Sequence, residues 1–167
     1  IRERYVDVVV TTGANLVHDI IEALGKHHYL SASDMAANAA AGSAEVEVDD
    51  VWLRKQGIDR IYDVIVHDEA FAHLEDFLRS VFEQLNHKRY SIKELLTAIG
   101  ENLSDRNSVL RSAVDCDVPV FCPAIADSMI GLHAWIYKQA GALEVDAFDD
   151  TRELIDLFCE AKRTGAI

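Results

Sequence analysis

The chain has 167 residues, half of them hydrophobic, enough for one α/β domain with a sizeable core. Lys and Arg number 16 against 29 Asp and Glu, a formal charge of −13. That argues against a nucleic-acid partner, because phosphate binding needs clustered positive charge. It favours attraction of cationic small molecules, polyamines included, although acidity that simply aids solubility gives the same balance. No apolar run approaches the ~20 residues that span a bilayer, and no signal-peptide pattern opens the chain. The expectation is a cytoplasmic protein with no membrane partner. Cys116, Cys122 and Cys159 include no C-x-x-C and read as free thiols used for packing. The chain opens on Ile1-Arg2-Glu3-Arg4 and closes on residues 163–167, which resemble the approach to another strand. Both ends suggest a piece of a longer protein.

Val6 to Val10 is mostly β-branched, which suits a buried parallel strand, although a buried helix segment has the same lack of period. It breaks into Thr11-Thr12-Gly13-Ala14-Asn15. An amphipathic run from Leu16 to Leu24 follows, with Gly25 as its stop. Strand, small-residue turn and helix make the half-unit of an α/β fold that places a ligand at the strand's carboxyl end. Residues 31–50, rich in Ala, Ser, Asn and acids, are expected to be a surface insertion. Trp52, Leu53, Ile58, Ile61 and Tyr62 around Gly57 suggest a short helix, a turn and an extended segment through Val66. Leu74, Phe77, Leu78, Val81, Phe82 and Leu85 fall at helical spacing and predict a helix from Glu69 to about Leu85. Ser91-Ile92-Lys93-Glu94 is a capping-box pattern, with Leu95, Leu96 and Ile99 as the apolar face and Gly100 as the expected stop. A helix over about 105–114 then precedes a short buried strand, 117–123, with Pro119 and Pro123 toward its ends. An apolar helix from Leu132 to Tyr137 and a strand from Ala142 to Asp146 follow. The last helix is capped at Asp150 and expected to bury Leu154, Ile155, Leu157 and Phe158. This alternation predicts α/β with a parallel sheet.

Neither G-x-G-x-x-G nor G-x-x-x-x-G-K-[ST] occurs, so no nucleotide fingerprint is present. The hydroxyls and backbone N–H groups of the first turn are nevertheless candidates to hold a phosphate or ribose; a plain strand-to-helix connection has the same composition. The second turn, Cys122 to Gly131, is expected on the same edge, since parallel strands share it. Asp127 there is the leading functional candidate, for a ribose hydroxyl or a cationic substrate, with capping of the next helix as the alternative. His18, followed by Asp19, lies one helical turn past the first turn. It can move a proton, bind a ligand or simply rest beside an acid. Glu69 with His73, and His27-His28, lack the three or four converging ligands of a metal site, so no metal is assigned.

The ordered set of motifs resembles the deoxyhypusine synthase family. The matching segments are Val8 to Ala14, Leu53 to Ile61, Leu74 to Leu78, Ile99-Gly100-Glu101 and Val118 to Ala124, then Asp127 and Gly131. They run in order over nearly the whole chain, with residues 31–50 as the main exception. The resemblance implies a Rossmann-like parallel sheet flanked by helices that binds NAD. It implies a transferase that moves an aminobutyl group from spermidine to an active-site lysine and then to a lysine of a translation factor. A homotetramer with sites shared across a dimer interface is also implied. Thr12, Gly13 and Ala14 match the NAD-contacting first turn, and Asp127 matches a carboxylate of the second. The family's paired glutamates fall on Val17 and His18, which places His18 near the substrate, and an amine-contacting aspartate falls on Leu132. Losing these acids should weaken recognition of a long polyamine. The variant TTGANLVHD is closer to the deoxyhypusine-synthase-like branch, associated with other amines such as agmatine. The family's glycine-rich third turn and catalytic lysine are expected beyond Ile167, so no catalytic residue is assigned within the chain. The alternatives are a homospermidine-synthase-like or agmatine-using transferase, and a non-catalytic binding or assembly subunit.

Overall fold

The computed structural model describes residues 1–30, 50–85, 89–140 and 143–165. The expected surface insertion therefore lies, apart from Asp50, outside the described residues. Helices dominate the packing. Helix α1 (Gly13–Ala23) turns Leu16, Val17, Ile20 and Ile21 inward, which is one face of a 3.6-residue period. Gly25 ends it with φ +77°, a conformation glycine adopts without steric cost.

Helix α2 (Asp50–Lys55) leads into strands β2 (Ile58–Ile61) and β3 (Val64–His67). These pair antiparallel as a tight hairpin, not as the single extended segment expected. The turn was hard to read because it carries Tyr62 at φ 60° where glycine or asparagine is usual. Leu53, Ile58 and Ile65 form a small separate core against Tyr29.

Helix α3 (Glu69–Gln84) follows the expected apolar spacing and buries Ala70, Leu74, Leu78, Val81 and Phe82. Strand β4 (Arg89–Ser91) runs straight into α4 (Ile92–Glu101) through a complete capping box. The Glu94 N–H donates to Ser91 Oγ, and the Ser91 N–H donates to Glu94 Oε2, both at 3.1 Å. Gly100 does not stop this helix. It lies inside it, and a Cβ there would stand 2.9 Å from the Leu110 carbonyl oxygen of the next helix, so its smallness permits close helix packing.

Helix α5 (Val109–Cys116) starts later than expected, after Ser108. Strand β5 (Val120–Phe121) is fully buried between the two prolines. Helix α6 (Met129–Gln139) is longer than its apolar run, strand β6 (Glu144–Asp146) lies where a strand was expected, and α7 (Thr151–Glu160) closes the described chain. Helix α7 buries none of its side chains: Ile155 is 54% and Phe158 55% exposed. The Asp150 carboxylate does not cap α7. It reaches back to the Lys93 N–H at 2.7 Å, at the start of α4.

Strand β1 (Val9–Val10) pairs parallel with β5, Val9 opposite Val120 and Val10 opposite Phe121. Strand β4 pairs parallel with β6, braced by Arg89 on Asp146 and Asp149. Among the described residues the strands make three two-stranded ladders, not one continuous parallel sheet. With a single partner strand, the valine run is only partly covered, and Val10 is 50% exposed where a buried strand was expected. The arrangement is thus mixed α/β with short parallel sheets, its main core made by α1, α3, α4, α5 and α6. No helix among the described residues is long and apolar enough to cross a membrane.

Helix α5 depends on a cap from another element. The Asp19 carboxylate accepts from Ser108 Oγ (2.8 Å), the Val109 N–H (2.7 Å) and the Leu110 N–H (3.0 Å). An anion at a helix N-terminus satisfies donors that have no intrahelical partner and meets the positive end of the dipole. Asp19→Ala should therefore cost about 1–3 kcal/mol of stability in denaturant unfolding, with exposure of the α5 amides to hydrogen exchange.

Candidate functional site

The parallel pairing of β1 and β5 brings both strand-to-helix turns to one edge. The ladder continues past the strands, with the Thr11 N–H donating to the Phe121 carbonyl at 3.0 Å. Thr12 caps α1, its Oγ1 accepting from the Asn15 N–H at 3.4 Å. Thr11 Oγ1 accepts from Asn15 Nδ2 at 3.2 Å. Ser128 caps α6, its Oγ accepting from the Gly131 N–H at 3.3 Å while donating to the Ile125 carbonyl at 2.6 Å. Gly13 is buried directly against Ser128, whose Cβ and Oγ leave no room for another carbon. Gly131 is closed in the same way by the Ile125 carbonyl oxygen. Two helices of 11 residues each thus begin side by side at the carboxyl edge.

Of the expected site residues, the structure joins Gly13 to the second turn. Thr12, Ala14 and Asp127 are exposed on the same edge and make no hydrogen bonds to one another. Asp127 is not the cap of α6, since Ser128 takes that role. Among the described residues its carboxylate has no hydrogen-bond partner and remains available. The α1 and α6 N-termini offer backbone N–H groups with no helical acceptor, suited to an anion. Hydroxyl and carboxylate beside them suit a sugar. The donor set therefore fits a phosphorylated nucleoside such as a dinucleotide.

His18 stands apart from that edge. Its Nδ1 lies 2.9 Å from His28 Nε2, with the rings edge-to-face at 4.8 Å between centroids. His28 Nδ1 lies 2.6 Å from Glu22 Oε1, which also accepts the His28 N–H at 2.7 Å. His27 Nδ1 sits 3.0 Å from the other Glu22 oxygen. Burial holds the His18 pKa below 6.5, His28 lowers it further, and Glu22 opposes them. Burial alone would raise Glu22; hydrogen bonds from His27 and His28 together outweigh it and take its carboxyl below 4.5. The sequence showed His18 and the His27-His28 pair but not their contact, which needs Gly25 to turn the chain back along α1. His18 and Asp19, adjacent in sequence, point to different partners.

The remaining candidates have local roles. His73 Nδ1 lies 3.0 Å from the Glu69 carbonyl, and Glu69 pairs with Lys26 at 3.0 Å. No cluster of metal-ligating side chains occurs among the described residues. The three cysteines are free; burial pushes the Cys122 thiol up, whereas Cys159 is exposed and not a packing residue.

These features define an α/β chain with a candidate ligand edge built from two adjoining strand-to-helix turns. The family model named Deoxyhypusine synthase matches residues 1–167, and the chain belongs to that family. It is 48% identical over all 167 residues to "Probable deoxyhypusine synthase 1" of Methanosarcina acetivorans, covering 49% of that protein. It is 39% identical over 163 residues to "Probable deoxyhypusine synthase 1" of Archaeoglobus fulgidus, again covering 49%. The chain thus spans about half the length of the curated relatives it matches. The fold is similar to the crystal structure of "a putative deoxyhypusine synthase from Entamoeba histolytica". That likeness has a TM-score of 0.56 at 20% identity and covers 96% of this chain and 48% of the other.

Two outcomes follow from this geometry. Gly131→Ala drives a carbon into the Ile125 carbonyl and should destabilise by about 2 kcal/mol or more in denaturant unfolding. Acid should also weaken the fold. Because folded His18 titrates below 6.5, the unfolded chain binds more protons, and stability is lost as pH falls from 6.5 toward the folded value. Glu22 adds a loss below 4.5 as pH falls through its own depressed pKa. Thermal midpoints measured between about pH 7.5 and about pH 4 should fall, and His18→Gln should flatten the upper part of that slope.

Proposed function

We propose that the protein carrying this chain is an NAD-dependent aminoalkyl transferase of the deoxyhypusine synthase type, with spermidine as donor and a protein lysine as acceptor. Family membership supports the transferase class. The observation that carries the cofactor reading is the meeting of two helix N-termini at Gly13 and Ser128, with the Asp127 carboxylate beside them. In this reading the backbone N–H groups of Gly13 and Ala14 and the start of α6 hold the pyrophosphate, Thr12 orients the first turn, and Asp127 accepts from a ribose hydroxyl. The Rossmann-like sheet belongs to the same reading, with β1 and β5 as its central parallel pair. A dinucleotide held there would supply a hydride acceptor for the carbon next to an amine.

A second reading concerns the amine. Position 17, where the resemblance implies a glutamate, holds Val17, 4% exposed in the core. Position 132, where it implies an aspartate, holds Leu132, 50% exposed. The site then has fewer acids for a long polyamine, which favours a different donor such as agmatine, or a free diamine as acceptor. A cytoplasmic homotetramer acting on a translation factor is the assembly proposed with the first reading; a non-catalytic subunit is its opposite.

The test is dinucleotide binding and amine-dependent formation of reduced dinucleotide by the full-length protein. NAD should bind, and Thr12→Ala and Asp127→Asn should each weaken binding about tenfold, the value of one lost hydrogen bond of about 1.4 kcal/mol. Spermidine, agmatine and a free diamine tried separately should show which amine reduces the dinucleotide. Absence of NAD binding would sink this reading.

A further inference from the structure

We propose that Glu22, His28 and His18 form a proton relay whose open end, His18 Nε2, takes a proton from a cationic amine bound along the polar face of α1. The inference deepens the reading above and rests on its amine.

Asn15, His18 and Glu22 are spaced by three and four residues, which places them on one face of α1, running down from the turn at its start. Glu22 is held by three donors, from His27 Nδ1, His28 Nδ1 and the His28 backbone. A carboxylate at 2.6 Å fixes the His28 proton on Nδ1 and leaves Nε2 as the acceptor. His18 Nδ1 must then donate across the 2.9 Å contact, which leaves His18 Nε2 bare. That nitrogen makes no hydrogen bond among the described residues and is not enclosed by them. The titratable groups that bear on His18 are His28 and Glu22, and Lys26 is paired with Glu69. No third ligand converges on the two imidazoles among the described residues.

The transfer balances without a co-reactant. An N–H bond of the ammonium breaks, and its electron pair stays on the amine nitrogen. A new N–H bond forms at His18 Nε2. The His18 Nδ1 proton passes to His28 Nε2, and the positive charge ends on His28 against the Glu22 carboxylate. An ammonium near pKa ~10 resists giving a proton to an imidazole. The ion pair that protonated His28 makes with the Glu22 carboxylate offsets part of that mismatch. His18 touches the amine; His28 and Glu22 are positioning residues.

The experiment is 15N NMR of the histidines in the full-length protein, joined to pH profiles of amine-dependent dinucleotide reduction. His18 should be protonated at Nδ1 and bare at Nε2, and spermidine or agmatine should shift the Nε2 resonance. His28→Gln should lower kcat about 10–100-fold with KM within about twofold, less than the ~10²–10⁴-fold of losing a general base outright, because His18 itself remains. It should also move the acid limb to higher pH, because His28 no longer lowers His18. Glu22→Gln should move that limb the other way. A structural role would lower thermal stability in both variants without opposite shifts of the limb. If no amine reduces the dinucleotide while an amine still shifts His18 Nε2, the oxidation reading fails and the relay stands. Turnover with unmoved His18 and His28 resonances, and wild-type kcat in His28→Gln, overturns the relay alone. Neither shift nor turnover overturns both.

Discussion

The architecture depends on one close approach, Gly13 against Ser128. The β1–β5 ladder is only two residues per strand and cannot by itself fix how the following turns meet. The missing Cβ at Gly13 lets α1 start in contact with the cap of α6, and the missing Cβ at Gly131 lets α6 start against the Ile125 carbonyl. Close-packed interiors do not deform smoothly around an added carbon. The glycines therefore set the distance between two helix N-termini, and that distance determines whether one anionic ligand can be served by both.

Helix α1 then distributes different tasks around its circumference. Leu16, Val17, Ile20 and Ile21 join the core with α3, α5 and α6. Asp19 caps α5, and His18 and Glu22 engage His28. Adjacent helical residues diverge by ~100°, so His18 and Asp19 serve unrelated partners despite being neighbours. The same helix orients the candidate ligand edge and anchors the fold, which ties the geometry of that edge to core stability. Asp150 repeats the cross-capping at α4, so the starts of two core helices are fixed by carboxylates from distant elements.

What the sequence reveals depends on how local the cause is. The α3 helix and the Ser91–Glu94 capping box are legible because periodicity and capping act within a few residues. The β2–β3 turn is not, because Tyr62 is held in a left-handed conformation by the ladder on either side. Gly100 reads as a stop only until α5 is placed beside it; its reason is a neighbouring backbone. The apolar residues of α7 look like a core face, yet the described chain offers them no partner surface. At the candidate site, the shared edge of the two turns follows from parallel pairing and is legible. The His18–His28 contact spans a glycine turn that pattern alone does not orient.

A histidine at position 18 changes the physics of amine recognition on the proposed reading. A glutamate there would be an anion at neutral pH and would attract an ammonium through charge. His18 is kept neutral by burial and by its neighbouring ring, so it offers a lone pair instead of a charge. A neutral acceptor binds a cation more weakly, but it can receive a proton, which an ionised carboxylate of low pKa does poorly. With Val17 folded into the core and Leu132 apolar, the charge of an amine bound as proposed would be answered chiefly by Glu22, two imidazoles removed. Such an arrangement favours an amine whose proton must leave over one that must stay charged. That distinction separates a site for amine oxidation from a site for polyamine storage.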